Sequence, residues 1–333
     1  MPTFCRHNRL IQNCPICSRE QSIELRPIVS SSAPRSSLKA PTGSERRTAA
    51  PRSAHTQRPS RGVRVRRLAR GTDDGYRCGL VPGLKSSADA ARLADELAFA
   101  ARRLRALAED PPGLYAEIAS PHSPEADIEE RTWLAFLIAF ICPLDGDDPF
   151  VSVRAARTSW ASGEQPALEG IETGPRTAYD PGRGATTVDA YRGWARRAGS
   201  QAAAFTGDTA WTPERRFARA FERLALPGLH RDARFDLLTT LGWLGVYELR
   251  AGALELGGEN EVTLAAKRAL GIGDSLLLER RAAELARSCE VPLEALDVGF
   301  YNWCRGERAT LGMGTALDPD EPVVDAIHGA FNL

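Results

Sequence analysis

The segment at residues 129–142 constrains the fold most strongly. After an acidic start, it is almost wholly apolar from Trp133 onward (WLAFLIAFIC). A helix that crosses a bilayer needs about 20 apolar residues, so this segment is too short to span a membrane. A helix that is apolar on every side is buried in a protein core. The segment therefore predicts the central buried helix of a globular domain.

Helical periodicity recurs along most of the remaining chain. Ser87–Glu109 places apolar residues three and four apart, with acids in its first half and arginines in its second, as an amphipathic helix does. Thr212 and Pro213 are suited to the N-cap and first position of another helix. Strand-like alternation is nearly absent, so the predicted fold class is mainly α, with residues 159–187, rich in Gly and Pro, as an irregular insertion. Further helices are predicted at residues 188–204, 213–225, 232–250, 261–270, 275–289 and 292–305.

Charge divides the chain into two parts. The whole chain has 43 basic and 43 acidic residues. Residues 1–72 contain 15 basic and 3 acidic residues, which leaves 28 basic and 40 acidic residues in 73–333. A cationic tail thus precedes an acidic domain. The tail is rich in Ser, Pro and Arg and has no lasting periodicity. We predict a zinc knuckle at 1–20, a disordered basic linker at 21–72, and one helical domain at 73–333.

The zinc knuckle is predicted from four soft ligands within thirteen positions, in Cys-x-His and Cys-x-x-Cys spacing. Two such pairs can reach one tetrahedral ion, and a metal would supply folding energy that so short a segment lacks. A redox Cys-x-x-Cys is the alternative. With four protein ligands the zinc would be structural. The predicted ligands are Cys5, His7, Cys14 and Cys17.

The linker carries its densest positive charge at residues 61–70, which include Arg64, Arg66 and Arg67. A flexible arginine arm neutralises phosphates without reading sequence, and it makes affinity depend on salt. We therefore expect these arginines to contact DNA. A merely soluble linker that touches the acidic domain is the alternative.

A Leu-Pro-Gly bend joins two predicted helices at residues 226–233. Such a hairpin aims backbone N–H groups at the start of the second helix, where the helix dipole favours an anion. The bend is thus a candidate phosphate-binding element, and an ordinary helix–helix turn is the alternative. The predicted DNA-contacting residues are Leu226, Pro227, Gly228, Leu229, His230 and Arg231.

Three features follow one another along the chain: the hairpin, the Gly-Gly-Glu-Asn-Glu-Val stretch at 257–262, and Leu270-Gly271. Their order resembles that of the helix-hairpin-helix DNA glycosylase superfamily. The resemblance covers roughly residues 133–304. More narrowly, the chain looks like the α-glutamyl/putrescinyl thymine pyrophosphorylase branch, which includes antiphage DNA glycosylases. The resemblance implies a helical glycosylase-like domain that excises a modified base, such as a hypermodified phage base, in antiphage defence.

Two departures from the family pattern shape the expected chemistry. His230 stands at the second hairpin glycine, where it either loosens the phosphate contact or makes one itself. Asp232 stands where strand-cleaving members carry their Schiff-base lysine. A carboxylate forms no imine, so the expected activity is monofunctional.

The catalytic acid is expected at the start of the helix predicted at 261–270. Counting back from Leu270-Gly271 points to Asn260, and matching Val262 points to Glu259. Glu261 lies next to both and ranks first, because a carboxylate is needed to stabilise an oxocarbenium-like sugar. The alternative is that these are solvated acids favoured by the helix dipole.

The resemblance also places an acidic loop near the extruded base, where carboxylates would accept hydrogen bonds from base amines. The loop suits a Mg²⁺ or Ca²⁺ site as well, although it lacks EF-hand spacing. A solvated turn is the third interpretation. The candidate base-pocket residues are Asp145, Asp147 and Asp148.

The expected function is a DNA glycosylase that flips a base out of duplex DNA and leaves an abasic site. A base-modifying transferase that acts on an activated pyrimidine in DNA is the alternative, and a non-catalytic DNA-binding module is the third hypothesis. The expected partner is DNA, with no membrane and no protein partner, and the expected state is a monomer. Scattered cysteines without a disulfide-like pattern suggest a reducing cytoplasm.

The purified full chain is expected to hold about one structural zinc, since four ligands complete a tetrahedral shell. Elemental analysis of the wild type and of a Cys14→Ala/Cys17→Ala variant measures it. A zinc content that the double substitution leaves unchanged would contradict the predicted ligands.

Overall fold

The computed structural model describes residues 71–120, 127–314 and 317–333 of the chain. Within them the protein forms α-helices and no β-strand, which confirms the mainly α prediction. No helix in this part of the chain is both long and apolar enough to cross a membrane. The helices are α1 (Ser87–Glu109), α2 (Leu114–Ala119), α3 (Ile128–Ile141), α4 (Val151–Ala156), α5 (Gly184–Ala198), α6 (Gln201–Thr206), α7 (Pro213–Arg223), α8 (Arg231–Trp243), α9 (Glu261–Leu270), α10 (Ser275–Ser288), α11 (Ala295–Arg305) and α12 (Glu321–Phe331).

Two predicted N-terminal features lie outside the described residues. They are the zinc knuckle at 1–20 and the linker at 21–72, of which only the last two residues are described. The predictions that concern them therefore stay predictions. The residues involved are Cys5, His7, Cys14, Cys17, Arg64, Arg66 and Arg67.

Helix α3 is the buried central helix that its composition predicts. Asp127 caps its start by accepting a hydrogen bond from the Glu129 amide at 3.0 Å. Every residue from Thr132 to Ile141 is buried, so the helix has no solvated face. It packs against α2, α4, α6 and α8, and these contacts supply the burial that an apolar helix of this length needs.

Helix α1 organises the other half of the described structure. Ser86 caps its start, and its buried face packs against α8, α11 and α12. The Trp303 indole of α11 donates to the Asp89 carbonyl at 3.0 Å. Helices α9 and α10 pack on α11. Because α8 contacts both α1 and α3, it joins the two groups of helices.

Two predicted helices differ from the observed ones by more than three residues. The helix predicted at 232–250 ends at Trp243, because Gly245 has a φ of +70° and the chain turns back over α8. Gly242 approaches Leu249 so closely that a Cβ would lie 2.3 Å from the Leu249 carbonyl oxygen. The helix predicted at 188–204 is broken at Gly199, whose φ is +97°, into α5 and α6.

The Gly- and Pro-rich segment predicted at 159–187 is irregular up to residue 183, since α5 begins at Gly184. It hydrogen-bonds to the end of α3. The Gly174 amide donates to the Cys142 carbonyl at 3.0 Å, and the Ala178 amide donates to Phe140 at the same distance. A Cβ at Gly174 would lie 1.9 Å from the Pro143 carbonyl oxygen, so only glycine permits this approach. The segment thereby carries Arg176 into the interior.

Arg176 belongs to a buried charge cluster, defined here as Arg176, Arg231, Asp232, Asp236 and Asp297. Arg176 donates to both carboxylate oxygens of Asp236, at 2.8 and 3.1 Å, and to Asp297 at 2.5 Å. Arg231 donates to the other oxygen of Asp297 and, at 3.1 Å, to Asp232. The side chains of Arg176 and Asp297 are 0% and 1% exposed. The cluster connects the irregular segment, α8 and α11.

Asp297→Asn should lower the free energy of unfolding by about 3–5 kcal/mol, because it leaves two buried guanidinium groups without their shared counter-charge. Urea denaturation measures the loss. Arg281→Gln is the control: it breaks the exposed Arg281–Glu284 pair of α10, which should cost about 0–1 kcal/mol. Equal losses in the two variants would contradict a structural role for the cluster.

Candidate functional site

An open cleft of about 520 Å³ lies where the start of α8 faces the start of α9. The irregular segment and α11 complete its walls. It is lined by Pro175, Arg176, Thr177, His230, Arg231, Asp232, Glu259, Asn260, Glu261, Leu264, Tyr301 and Arg305.

The cleft brings two sets of predicted residues together. His230 and Arg231 come from the hairpin that was predicted to hold phosphate. Glu259, Asn260 and Glu261 come from the stretch that was predicted to supply the acid. Nearly thirty residues separate the two sets in sequence, yet they line one site.

The hairpin geometry explains its glycine. Gly228 has a φ of +79°, and the Leu229 amide donates to the Leu226 carbonyl at 3.1 Å, which closes the turn. A Cβ at Gly228 would lie 2.2 Å from the Thr187 hydroxyl oxygen of α5. The position therefore needs glycine both for its backbone conformation and for the close approach of α5. Leu229 is buried, while Pro227 is exposed.

The start of α8 has no side-chain cap. His230 is the N-cap, and its side chain makes no capping hydrogen bond. The neighbouring helices differ, because Thr212 caps α7 and Asn260 caps α9. Uncapped amides at a helix start attract an anion through their N–H groups and the helix dipole.

Asp232, in the first turn of α8, is the carboxylate that the cleft shares with the buried charge cluster. Burial alone would raise the pKa of Asp232, but the charges of Arg176 and Arg231 and the hydrogen bond from Arg231 outweigh it and hold the pKa below its usual range. The group is thus ionised at neutral pH. From the sequence, Asp232 was considered only as the residue that stands in place of the Schiff-base lysine. The signal that could have marked it was an acid in the first turn after the hairpin.

Arg176 and Tyr301 form the wall behind Asp232. Burial on its own would lower the pKa of the Arg176 guanidinium, but Asp236 and Asp297 raise it well above its usual range. The guanidinium carbon lies 4.7 Å from the centre of the Tyr301 ring. The Tyr301 hydroxyl donates to the Pro175 carbonyl at 2.8 Å, and burial raises its pKa, so the phenol is neutral.

The predicted acids at the start of α9 are less enclosed. Glu261, 45% exposed at its side chain, accepts a hydrogen bond from Arg305 at 3.0 Å. Glu259 is exposed at the rim. Asn260 accepts from the Thr263 amide at 2.8 Å and donates to the Gly257 carbonyl at 3.0 Å. Both ends of the Asn260 amide are therefore occupied in capping the helix.

None of the three aspartates of the acidic loop is among the residues that line this cleft. Asp145 accepts from the amide and the hydroxyl of Thr310 at 2.9 and 3.0 Å. Asp148 forms an ion pair with Arg154, and Asp147 is exposed. The described residues contain no group of acids, histidines and cysteines that could hold a metal ion. Through Asp145 the loop anchors the Thr310 turn, and the expected base contact of the loop stays a prediction.

Comparison of the chain with protein-family models, with curated proteins and with solved structures finds no match. The function proposed below rests on the geometry of the cleft and on the motifs that line it.

Gly228→Ala should lower the free energy of unfolding by at least about 1–2 kcal/mol, the usual cost of a left-handed backbone for a residue with a Cβ. The contact with Thr187 adds to this cost. Gly79→Ala is the matched control, because Gly79 lacks a positive φ and has open space around it. Thermal or urea unfolding compares the two, and a Gly228 variant as stable as the Gly79 variant would refute this account of the hairpin.

Proposed function

We propose that the protein is a monofunctional DNA N-glycosylase. A flipped base occupies the cleft, and the hairpin holds the adjacent phosphate. Flipping is needed because the anomeric carbon is inaccessible while the base is stacked. The observation that carries the proposal is the ionised, largely buried Asp232 in the first turn of α8, at the cleft that the start of α9 also lines.

The chemistry requires a negative charge near the sugar. When the bond between C1′ and the base nitrogen breaks, its electron pair leaves with the base and the sugar becomes cationic. An anion fixed in advance stabilises that transition state without reorganising. Asp232 supplies the charge, while Glu261 at the cleft rim orients the water that adds to C1′ and accepts its proton.

Strand cleavage is outside the proposed activity. The residues that line the cleft include no lysine, and a carboxylate at position 232 forms no imine with the sugar. The product is an abasic site in an intact strand.

The substrate is proposed to be a modified base of the kind that phage DNA contains, with a role in antiphage defence. The resemblance in the hairpin and in residues 257–271 suggests this class. The cleft volume of about 520 Å³ lies within the usual range of small-molecule sites, about 300–1,000 Å³, and leaves room for a base with a substituent.

Incubation of the full chain with modified phage DNA and with unmodified DNA tests the proposal. Mass spectrometry detects released base, and alkaline treatment reveals abasic sites. Release of free base together with abasic sites supports a glycosylase. Altered bases without abasic sites would indicate the transferase, and a mobility shift alone would indicate a binding module.

Asp232→Asn should slow base release by two orders of magnitude or more, because it removes the charge while keeping the size of the side chain. DNA affinity should hold. Glu261→Gln should have a smaller effect, and Glu259→Gln at the exposed rim is the control. The ionised form of Asp232 is the active one, so its contribution to base release should be lost as the pH drops through its lowered pKa, below the ordinary value of about 3.9. An Asp232→Asn variant that releases base at the wild-type rate would remove this residue from the mechanism.

A further inference from the structure

Two exposed arginines of α7 lie against one tryptophan. The guanidinium carbons of Arg215 and Arg223 are 5.6 and 5.7 Å from the centre of the Trp211 ring. Both distances fall within the range of cation–π attraction. Trp211, Arg215 and Arg223 are called the Trp211 cluster below. The ring holds the two cations on the same exposed surface.

Neither arginine of the Trp211 cluster makes an ion pair within the described part of the chain. Exposed arginines elsewhere commonly do: Arg219, on the same helix, pairs with Glu222 at 3.0 Å, and Arg305 pairs with Glu261. Among the residues that the structure describes, Arg215 and Arg223 have no carboxylate partner, in a domain with 40 acids against 28 basic residues. They are available to an anion from outside the protein.

Helix α7, which carries both arginines of the Trp211 cluster, leads into the hairpin and packs on α8. Helix α7 ends at Arg223, three residues before Leu226. The Arg234 guanidinium of α8 donates to the Phe221 carbonyl of α7 at 3.0 Å. Phe217 and Phe235 pack edge to face with ring centres 5.3 Å apart. These contacts give the cluster a defined position relative to the uncapped start of α8.

The buried side of α7 anchors it further. Arg216 donates to the Thr206 carbonyl at 2.7 Å and to the Glu248 carbonyl at 3.0 Å. The helix is therefore held on one face while Arg215 and Arg223 are exposed on the other. A rigid helix that presents cations positions a nucleic-acid backbone without reading its sequence.

We propose that the Trp211 cluster binds the phosphate backbone of DNA that flanks the nucleotide in the cleft. The two guanidinium groups contact separate phosphates, and the hairpin amides contact another. This inference rests on the proposed function, since it assumes that the duplex lies across the hairpin. It assigns α7 a role in affinity rather than in base recognition.

Affinity of the full chain for an unmodified duplex, measured against salt concentration, tests the cluster. Each phosphate contact contributes about 0.9 to the slope of log affinity against log salt. Arg215→Gln/Arg223→Gln should therefore reduce the slope by about 1.8. Trp211→Leu should weaken binding at a given salt concentration while keeping most of the slope, because both charges remain.

The matched control is Arg280→Gln/Arg287→Gln. It removes the same charge from the exposed surface of α10, which packs on α9 and α11. The control should leave the slope unchanged. Equal losses in the two double variants would show a general charge effect and overturn the proposal, as would an unchanged slope in the α7 variant. Loss of binding to an acidic peptide without a change in slope would assign the surface to a protein partner and would also overturn it.

Base release separates this inference from the proposed function. At saturating protein, the α7 double variant should release base from modified DNA at the wild-type single-turnover rate, because neither arginine lines the cleft. If the slope is reduced in the α7 double variant but the wild type releases no base, the cluster is retained as a DNA contact and the glycosylase is rejected. Normal base release by the wild type, together with an unchanged slope in the α7 double variant, would reject the cluster and retain the glycosylase.

Discussion

One shared carboxylate, Asp297, holds together the parts of the chain that form the cleft. It accepts hydrogen bonds from Arg176 of the irregular segment and from Arg231 of α8. Arg231 also donates to the Leu254 carbonyl in the loop that precedes α9. Buried arginines are costly unless their charge is compensated in good geometry. The position of the cleft walls therefore depends on this carboxylate, because each wall contributes or contacts a member of the buried charge cluster.

The same cluster determines what the cleft can do chemically. Burial would ordinarily raise the pKa of a carboxylate as enclosed as Asp232, but Arg176 and Arg231 reverse that effect. The structural interaction thus keeps a negative charge beside the cleft at neutral pH. Glu261 has a different environment, since it is half-exposed and pairs with Arg305. We therefore propose Asp232 as the fixed charge, whereas the sequence ranking placed Glu261 first.

The proposed binding of DNA by an acidic domain requires that positive groups be concentrated on the binding face. In the described residues, many surface arginines are neutralised by ion pairs, such as Arg308 with Glu96. The donors near the hairpin are of two other kinds: uncapped amides at the start of α8, and the Trp211 cluster. Amides attract an anion without adding formal charge. An acidic surface elsewhere would disfavour other approaches of a polyanion and so orient the duplex toward the hairpin.

Features that depend on residues close together in the sequence could be predicted. Features that depend on contacts between distant residues could not. Helices α1 and α9 have the predicted bounds, because periodicity and the Asn260 cap are local signals. The six-residue helices α2 and α4 were missed, since fewer than two turns carry no clear period. The end of α8 was wrong because the approach of Leu249 to Gly242 is a tertiary contact. Arg176 was missed for the same reason: its partners lie 60 and 121 residues away. An irregular segment has no periodicity to mark such a residue, so a site assembled by long-range ion pairs becomes visible only when the fold is known.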